Sequence, residues 1–401
     1  MLAHYQFTYG NDQTFSFELN ESLVRWAQTG PATNSDISAA IQAALSDPLD
    51  YPPVHEAVVP GDRVAIVVDP ETPSWPEIVC AIGSQLEKRG VEPGSLRISL
   101  NTEVESNNQA GVSKVPYAIV PHEQVMEGRA VYLASTAEGE RIYLPEEIGE
   151  ADYIISIGRF GFDDHWGYRG THSIVFPAFA TEEEKAKYLG KGHQELSPED
   201  SRGVRQVIDE IGWLLGLQYC VQVIPSGSGE LSHVLSGACD SVFQKSVSLL
   251  NDAWRSTIPT RAETVIVSIP HANEVDAWAA TARACRVAEK LTTDDGRVII
   301  MTDLQKFPED LHRQFEASAD AGQVLRALNR SPYPQARAVA ALASLANRFK
   351  VYLRSNLEQD VVESLFCIPL ADEEELRNAL QGGESYALLQ GGQFAYVDSA
   401  N

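Results

Sequence analysis

The fold is decided by residues 60–100, PGDRVAIVVDPETPSWPEIVCAIGSQLEKRGVEPGSLRISL, in which two apolar segments flank one amphipathic segment. Residues 63–69 form an apolar run that ends on an acid, and residues 96–100 form a second run. Between them, residues 77–89 have apolar side chains at helical spacing and end at Gly90. The order strand, helix, strand predicts a βαβ unit, and therefore a parallel sheet with a crossover helix.

The same α/β pattern extends to both sides of this unit. Further strands are predicted at 5–9, 14–19, 130–133, 141–144, 153–158, 220–224, 231–235, 262–269, 297–301, 351–353 and within 387–397. Further helices are predicted at 35–45, 181–189, 198–215, 240–254, 273–291, 308–319, 334–349 and 372–380.

The chain has 401 residues, which exceeds one usual hydrophobic core, so two domains are expected. A break near residue 259 predicts an N-terminal domain at 1–258 and a C-terminal α/β domain at 259–385, with terminal strands at 386–401 that fit either domain. The predicted fold class is a two-domain α/β protein. Each domain has a mixed or parallel sheet flanked by helices, and a cleft between the domains is the expected ligand site.

Composition and charge exclude several classes of protein. The net charge is -25, from 31 basic and 56 acidic residues, and this predicts no nucleic-acid partner and no contact with anionic membranes. A small anionic ligand would need a local positive site, so individual arginines are candidates for binding it. The five cysteines are widely spaced without a C-x-x-C motif, so they predict neither a disulfide framework nor a zinc knuckle. Without a signal pattern or a membrane-length apolar run, the protein is expected to be cytoplasmic.

Residues 163–177 carry the densest set of titratable, aromatic and glycine residues. They follow the predicted strand 153–158, and the carboxyl ends of parallel strands are where ligands bind in open α/β sheets. Asp163, His165, Arg169 and His172 could supply acid and base groups, metal ligands and an anion clamp, and they are the predicted catalytic residues. The alternative is a surface loop whose charges are solvated.

Three residues outside this stretch are further candidates. His193 follows a glycine-flanked approach and is the predicted metal ligand, with His165 and His172 as partners, although a structural histidine is the alternative. Asp69 ends a predicted strand, where an N-cap for the next helix is the alternative role. Arg283 lies on a predicted helix, where an arginine usually extends into solvent.

The chain resembles the nickel-dependent lactate racemase family over residues 5–304. The resemblance is carried by residues 7–10, 60–67, 153–158 before a glycine-rich loop ending at Pro177, 221–237, 288–291 and 296–301. It implies two α/β domains enclosing a nickel-pincer nucleotide that is tethered to a lysine and coordinated by a histidine. It also implies two histidines that exchange the α-hydrogen of lactate with the cofactor, and an arginine and a lysine that hold the substrate.

In the loop after the first parallel strand, the resemblance implies a cofactor contact at Asp69 and a substrate contact at Thr72. Thr72 stands where the family has an arginine. The family's glycine-histidine-arginine turn falls on residues 101–105, which contain no histidine. One catalytic histidine falls on Asp163, with His165 two residues away.

In the glycine-rich loop, the lysine that tethers the cofactor falls on Ser173, next to His172. Ser173 and the preceding Gly170 are therefore the predicted cofactor contacts. The nickel ligand is matched by His193 with an insertion, and the substrate lysine is matched by Arg283, which keeps the charge.

Two functions follow from this comparison, and both stay open at this point. One is a divergent racemase or epimerase, rebuilt around residues 163–193, that acts on a small anionic 2-hydroxy acid other than lactate and binds the nickel-pincer nucleotide noncovalently. The alternative is a noncatalytic family member that binds a nucleotide, a metal or a protein partner. A hydrolase that uses another metal at the three histidines is a third reading of the same residues.

Overall fold

The computed structural model describes residues 1–102, 109–137, 139, 141–163, 166–181, 196, 203–257, 260–270, 277–311, 321–331, 333 and 335–398. The chain forms two compact units. Unit A comprises residues 33–225 and 230–252, and unit B comprises residues 1–32, 226–229 and 253–401.

The strands of the described residues are β1 (Leu2–Tyr9), β2 (Gln13–Asn20), β3 (Val24–Gln28), β4 (Val64–Val68), β5 (Leu96–Leu100), β6 (Ala118–Val120), β7 (Ala130–Ser135), β8 (Arg141–Pro145), β9 (Tyr153–Arg159), β10 (Gly161–Asp163), β11 (Gly167–Arg169), β12 (Tyr219–Pro225), β13 (Leu231–Ala238), β14 (Arg255–Thr257), β15 (Ala262–Ser268), β16 (Thr292–Met301), β17 (Lys350–Arg354), β18 (Ile368–Pro369), β19 (Tyr386–Gln390) and β20 (Tyr396–Asp398).

The helices of the described residues are α1 (Ile37–Ser46), α2 (Val54–Ala57), α3 (Trp75–Glu87), α4 (Gln109–Val112), α5 (His122–Glu127), α6 (Glu146–Gly149), α7 (Gly203–Leu214), α8 (Cys239–Trp254), α9 (Ala277–Leu291), α10 (Ala321–Arg330), α11 (Ala336–Arg348), α12 (Gln359–Ser364) and α13 (Glu373–Leu380). Short 3-10 turns lie at Glu21–Leu23, Pro93–Ser95 and Thr171–Ile174.

Unit A is built on a six-stranded sheet with the order β13-β12-β9-β4-β5-β6. Neighbouring strands from β12 to β6 are parallel, and β13 is antiparallel to β12 at the edge. The predicted βαβ unit is confirmed, because β4 and β5 pair in parallel and α3 connects them. The predicted hairpin at 220–235 is likewise confirmed as β12 and β13.

The central strand β4 is buried on both faces, which explains why its sequence is continuously apolar rather than alternating. On one face, Val64, Ile66 and Val68 pack in the same core cluster as residues of α1 and α3. On the other face, Ala65 and Val67 pack in a second cluster that includes residues of the 3-10 turn at Thr171–Ile174. Apolar packing against this face of the sheet therefore holds the turn in place.

Unit B is built on a six-stranded parallel sheet with the order β18-β17-β16-β15-β19-β3. Strand β3 was not expected from the sequence, and it pairs with β19 near the other end of the chain. Residues 1–32 therefore belong to unit B, which corrects the predicted N-terminal domain at 1–258. The same pairing places the terminal strand at 386–390 in unit B, and the chain re-enters unit B at residue 253.

The fold class is confirmed as α/β, with one mixed and one parallel main sheet, each of which carries helices in its connections. The helix predicted at 181–189 lies outside the described residues except for residue 181, as do most of the helix at 308–319 and the beginnings of those at 198–215 and 273–291. Among the described helices, none combines the length and the apolar character that crossing a membrane requires.

Candidate functional site

The candidate site lies in unit A, at the carboxyl ends of the neighbouring strands β4 and β9. The chain leaves β4 toward β5 on one side and later returns to β9 on the other side, so the strand order reverses between these two strands. In open α/β sheets, such a reversal leaves a crevice at the carboxyl edge, and ligands bind there. Asp69 follows β4, and Arg159 is the last residue of β9.

Asp69 shapes the loop that leaves β4. Its backbone N–H donates to Ile157 O at 2.9 Å, which holds the loop against β9. Its Oδ1 accepts a hydrogen bond from the Glu71 backbone N–H at 3.0 Å, and its backbone O accepts one from the Thr72 N–H. This is an Asx-turn. The alternative role as a helix N-cap is wrong, because Ser74 occupies the N-cap position of α3.

The stretch predicted as a loop after β9 is in fact a short antiparallel hairpin. Strand β10 pairs with β11, so that Gly161 lies opposite Arg169 and Asp163 lies opposite Gly167. The hairpin returns Arg169 to the sheet edge, where its Nη2 lies 2.6 Å from Asp69 Oδ2. The structure therefore brings together two residues that are 100 positions apart and that the sequence analysis had named independently.

Four charged side chains form one ionic cluster at this edge. Arg159 Nη2 donates to Glu71 Oε2 at 2.9 Å, and Arg169 Nη1 lies 3.6 Å from the same oxygen. The side chains of Asp69 and Arg159 are 1% and 6% exposed, whereas that of Arg169 is 22% exposed. Two guanidinium groups thus balance two carboxylates, and Arg169 is the most accessible member.

Thr72 lies beside this cluster in the same turn and is 2% exposed. Its hydroxyl makes no hydrogen bond to any described residue. A buried polar group without a partner costs about 1–3 kcal/mol, so such a group indicates a ligand or water site. Thr72 was predicted as a substrate contact, and that role remains a prediction.

The remaining predicted residues lie in different surroundings. Asp163 is half-buried on β10, diagonal to Arg169 on the same face of the hairpin, and its Oδ1 accepts from the Trp166 N–H at 3.2 Å. Arg283 is half-buried on α9 in unit B. His165 and His193 lie outside the described residues. The roles proposed for all four remain predictions.

The side chain of His172 is buried and does not face solvent at the site. Its Nδ1 lies 2.9 Å from Asp209 Oδ1 on α7. Burial disfavours the charged imidazole, but hydrogen bonds to Asp209 and to the Cys239 sulfur outweigh it and raise the pKa of His172 to about 9. This shift favours the imidazolium form, which has no lone pair for a metal ion or for general-base catalysis.

Arg205 on α7 was not singled out in the sequence, yet it holds the turn together. Its guanidinium donates to the backbone O atoms of Tyr168 and Gly170 at 3.0 and 3.3 Å, and to the Thr171 hydroxyl at 2.8 Å. It also donates to Asp209 at 3.0 Å. The only sequence signal for this role of Arg205 was that Asp209, a residue of opposite charge, follows four positions later on the same helix.

Ser173 and Gly170 close a small ring of hydrogen bonds at the position of the family's tethering lysine. The Gly170 N–H donates to Ser173 Oγ at 2.7 Å, and the hydroxyl donates back to Gly170 O at 3.1 Å. Gly170 has φ +123, and a Cβ there would meet the Phe160 ring at 2.4 Å. The serine has no amine to form the tether, and its hydroxyl already has local partners.

The nickel-pincer nucleotide that the resemblance implies therefore does not fit the described residues. Ser173 cannot carry the covalent bond, and His172 is charged with its Nδ1 held by Asp209. No group of three histidine, cysteine or acidic side chains suited to a metal ion occurs among the residues that the structure describes.

Gly212 on α7 is required by the packing of His172. A Cβ at this position would lie 2.3 Å from His172 Cγ. We expect Gly212→Ala to lower the free energy of unfolding by about 1–3 kcal/mol, because the buried ring would have to move. Urea denaturation measures this change.

The matched control for this prediction is Gly203→Ala at the exposed start of the same helix, where a Cβ would meet no atom within 4 Å. Alanine favours helix by about 1 kcal/mol over glycine, so the control should be neutral or stabilising. Equal effects of the two substitutions would contradict the packing of His172 against Gly212.

Comparison with known proteins agrees with this fold. Residues 9–188 match the family described as the lactate racemase N-terminal domain. The structure of the lactate racemase apoprotein from Thermoanaerobacterium thermosaccharolyticum superposes with a TM-score of 0.74 at 15% identity, covering 99% of this chain and 100% of that chain. A protein from Thermotoga maritima superposes with a TM-score of 0.62 at 12% identity, covering 92% and 99% of the two chains.

No curated protein matches the sequence significantly. The two structural similarities concern the fold, whereas the family match concerns the sequence of the segment that contains Asp69, the β10–β11 hairpin and the turn of His172. Residues 9–188 of this chain therefore belong to the lactate racemase N-terminal domain family, and the chain as a whole has the lactate racemase fold.

Proposed function

We propose that this chain binds a small carboxylate ligand of the 2-hydroxy acid class at the edge formed by Asp69, Thr72 and Arg169, and that it does so without a lysine-tethered nucleotide. The observation that carries this proposal is the Arg169–Asp69 ion pair at the point where the strand order reverses, beside a buried threonine hydroxyl that has no hydrogen-bond partner among the described residues.

The cluster carries no net charge, and its support for an anionic ligand comes from Arg169, its most exposed member. The chain as a whole is strongly acidic, so an anion needs a local positive group. Arg169 is oriented by its 2.6 Å contact to Asp69, while its 3.6 Å approach to Glu71 is longer than a hydrogen bond. A ligand carboxylate could take the place of Glu71 at Arg169 and accept a hydrogen bond from the Thr72 hydroxyl.

Binding of a 2-hydroxy acid is better supported than racemisation of lactate, because the acid and base groups that racemisation needs are missing or changed. Racemisation needs acid and base groups on opposite faces of a planar centre. The sequence has no histidine at 101–105, the other family histidine falls on Asp163, and His172 is held as an imidazolium by Asp209. The noncatalytic alternative from the sequence is thus better supported by these residues than lactate racemisation is.

A divergent racemase or epimerase is the second candidate, and Asp163 is the observation that favours it. Its carboxylate lies on the same face of the hairpin as Arg169. A carboxylate there could accept the α-proton of a 2-hydroxy acid that Arg169 holds. Exchange of the α-hydrogen in D2O, followed by proton NMR, separates the two candidates: exchange supports this second function, and binding without exchange supports the first.

The binding proposal is tested by calorimetric titration with a panel of 2-hydroxy acids, each as both enantiomers. We expect binding by the wild type and at least a tenfold loss of affinity in Arg169→Gln, because a hydrogen bond to a charged group contributes about 1.5–3 kcal/mol. Thr72→Val should weaken binding by a smaller factor.

The control variant is Arg129→Gln, which removes an exposed arginine of the same unit. It should leave the affinity unchanged, and circular dichroism should show that each variant is folded. Binding that Arg169→Gln leaves intact, or no binding of any panel member by the wild type, would overturn the proposal.

A further inference from the structure

One carboxylate oxygen of Glu71 contacts both arginines of the ionic cluster. Arg159 Nη2 donates to Glu71 Oε2 at 2.9 Å, and Arg169 Nη1 lies 3.6 Å from the same oxygen. Two guanidinium groups thus converge on one point from different strands, because Arg159 ends β9 and Arg169 ends β11. Arginine suits the binding of carboxylates, since its guanidinium group offers several donors in a rigid plane. The carboxylate at this point belongs to the chain itself.

The two carboxylates of the cluster are held to different degrees. The Asp69 side chain is short and 1% exposed, and both of its oxygens are engaged, Oδ1 by the Glu71 N–H and Oδ2 by Arg169. The Glu71 side chain is 12% exposed, longer, and has more rotational freedom. Asp69 is therefore a fixed part of the cluster, whereas the Glu71 carboxylate is the one that can turn toward solvent.

The backbone of the loop does not depend on the position of the Glu71 side chain. The rings of Pro70 and Pro73 restrict the backbone on either side of it. The Glu71 N–H donates to Asp69 Oδ1 and the Thr72 N–H donates to Asp69 O, each at 3.0 Å. Rotation of the Glu71 side chain would break its contacts with the arginines and none of these bonds. Thr72 would therefore stay in place when the carboxylate leaves.

The charge balance of the cluster limits which ligand can replace Glu71. Its two guanidinium groups balance its two carboxylates. When Glu71 turns to solvent and an acid with a single carboxylate enters, this balance is restored. A second carboxylate would leave an excess negative charge next to Asp69, whose side chain is 1% exposed, and like charges are unfavourable at a buried site. The cluster therefore favours acids with one carboxylate.

We propose that Glu71 is an internal competitor for the ligand. Its carboxylate occupies a clamp formed by Arg159 and Arg169 in the free protein, and it leaves the clamp when a 2-hydroxy acid with one carboxylate binds. This inference rests on the proposed function. It adds Arg159 as a second arginine that holds the ligand, and it adds a preference for acids with one carboxylate over acids with two.

The test adds glycolate, which has one carboxylate, and tartronate, its counterpart with two, to the calorimetric panel. We expect Glu71→Gln to bind glycolate at least about tenfold more tightly than the wild type, because the ligand no longer has to break a hydrogen bond between charged groups. The wild type should prefer glycolate to tartronate, and the variant should lose much of this preference. Arg159→Gln should weaken glycolate binding at least about tenfold for the same reason as Arg169→Gln.

Thermal unfolding of the same proteins gives a second readout. Glu71→Gln removes a negative charge 2.9 Å from Arg159, whose side chain is 6% exposed, so the variant should unfold at a lower temperature than the wild type. Glycolate supplies a carboxylate to the same guanidinium group. At equal concentration it should therefore raise the unfolding temperature of the variant by more than that of the wild type.

The control is Glu77→Gln, which removes the same charge from a 48% exposed side chain on α3 and should leave the affinity unchanged. Equal affinities of the wild type and Glu71→Gln for every acid that binds would overturn this inference, while the proposed function would stand if Arg169→Gln still weakened binding. Binding by Glu71→Gln but not by the wild type would support this inference alone. No binding by either protein would overturn both.

Discussion

Arg205→Ala is expected to lower the free energy of unfolding of this protein by about 1–3 kcal/mol, because the buried groups that it contacts would lose a charged hydrogen-bond donor. The arginine is 6% exposed, and its loss would leave the carbonyls of Tyr168 and Gly170 without this donor. It would also remove the partner of Asp209, which orients His172. Urea denaturation, followed by circular dichroism, measures the change.

Arg129→Ala is the control, since this arginine makes three hydrogen bonds to the carboxylates of Glu146 and Glu150, but its side chain is 66% exposed. Exposed ion pairs contribute at most about 1 kcal/mol. An Arg205→Ala effect as small as that of the control would show that the turn at Thr171–Ile174 does not depend on Arg205.

The pair Asp69–Arg169 should show strong coupling in a double-mutant cycle. Arg169→Gln alone leaves a 1% exposed carboxylate without its closest partner, so we expect a loss of about 3 kcal/mol in the free energy of unfolding. Asp69→Asn combined with Arg169→Gln removes both charges and should cost less than the sum of the single changes by about 1–3 kcal/mol.

A second cycle on an exposed pair of unit A sets the scale for this measurement. The Lys114–Glu77 pair is 3.7 Å apart, with side chains 63% and 48% exposed, and should show coupling below about 1 kcal/mol. If the effects of Asp69→Asn and Arg169→Gln simply add, the two side chains do not form the ion pair on which the ligand site depends.

The sequence was sufficient to predict the sheet edge of the site. Residues 60–100 contain a strand, a helix and a strand in immediate succession, so their pairing is local, and an apolar run on β4 is typical of a strand buried on both faces. Asp69 and the segment that contains Arg169 each follow a predicted strand. Parallel strands place their carboxyl ends at one edge, so both residues were predicted there.

The parts that the sequence did not predict depend on pairings between distant residues. Strand β3 is short, and its partner β19 lies more than 350 residues away, so nothing local marks it as part of unit B. The contacts of Arg205 with the turn of His172 exist only after α7 packs on the sheet. His172 was therefore predicted as catalytic, although its surroundings hold it as a buried ion.

The central claim is that this chain binds a small carboxylate at Asp69, Thr72 and Arg169 without a tethered nucleotide. Native and denaturing mass spectrometry of the chain, purified from a host that makes the nickel-pincer nucleotide and incubated with 2-hydroxy acids, tests it most directly. The account predicts a bare polypeptide mass after denaturation and a native mass increased by one small acid. A nucleotide-sized mass that survives denaturation, or a native mass without bound acid, would contradict it.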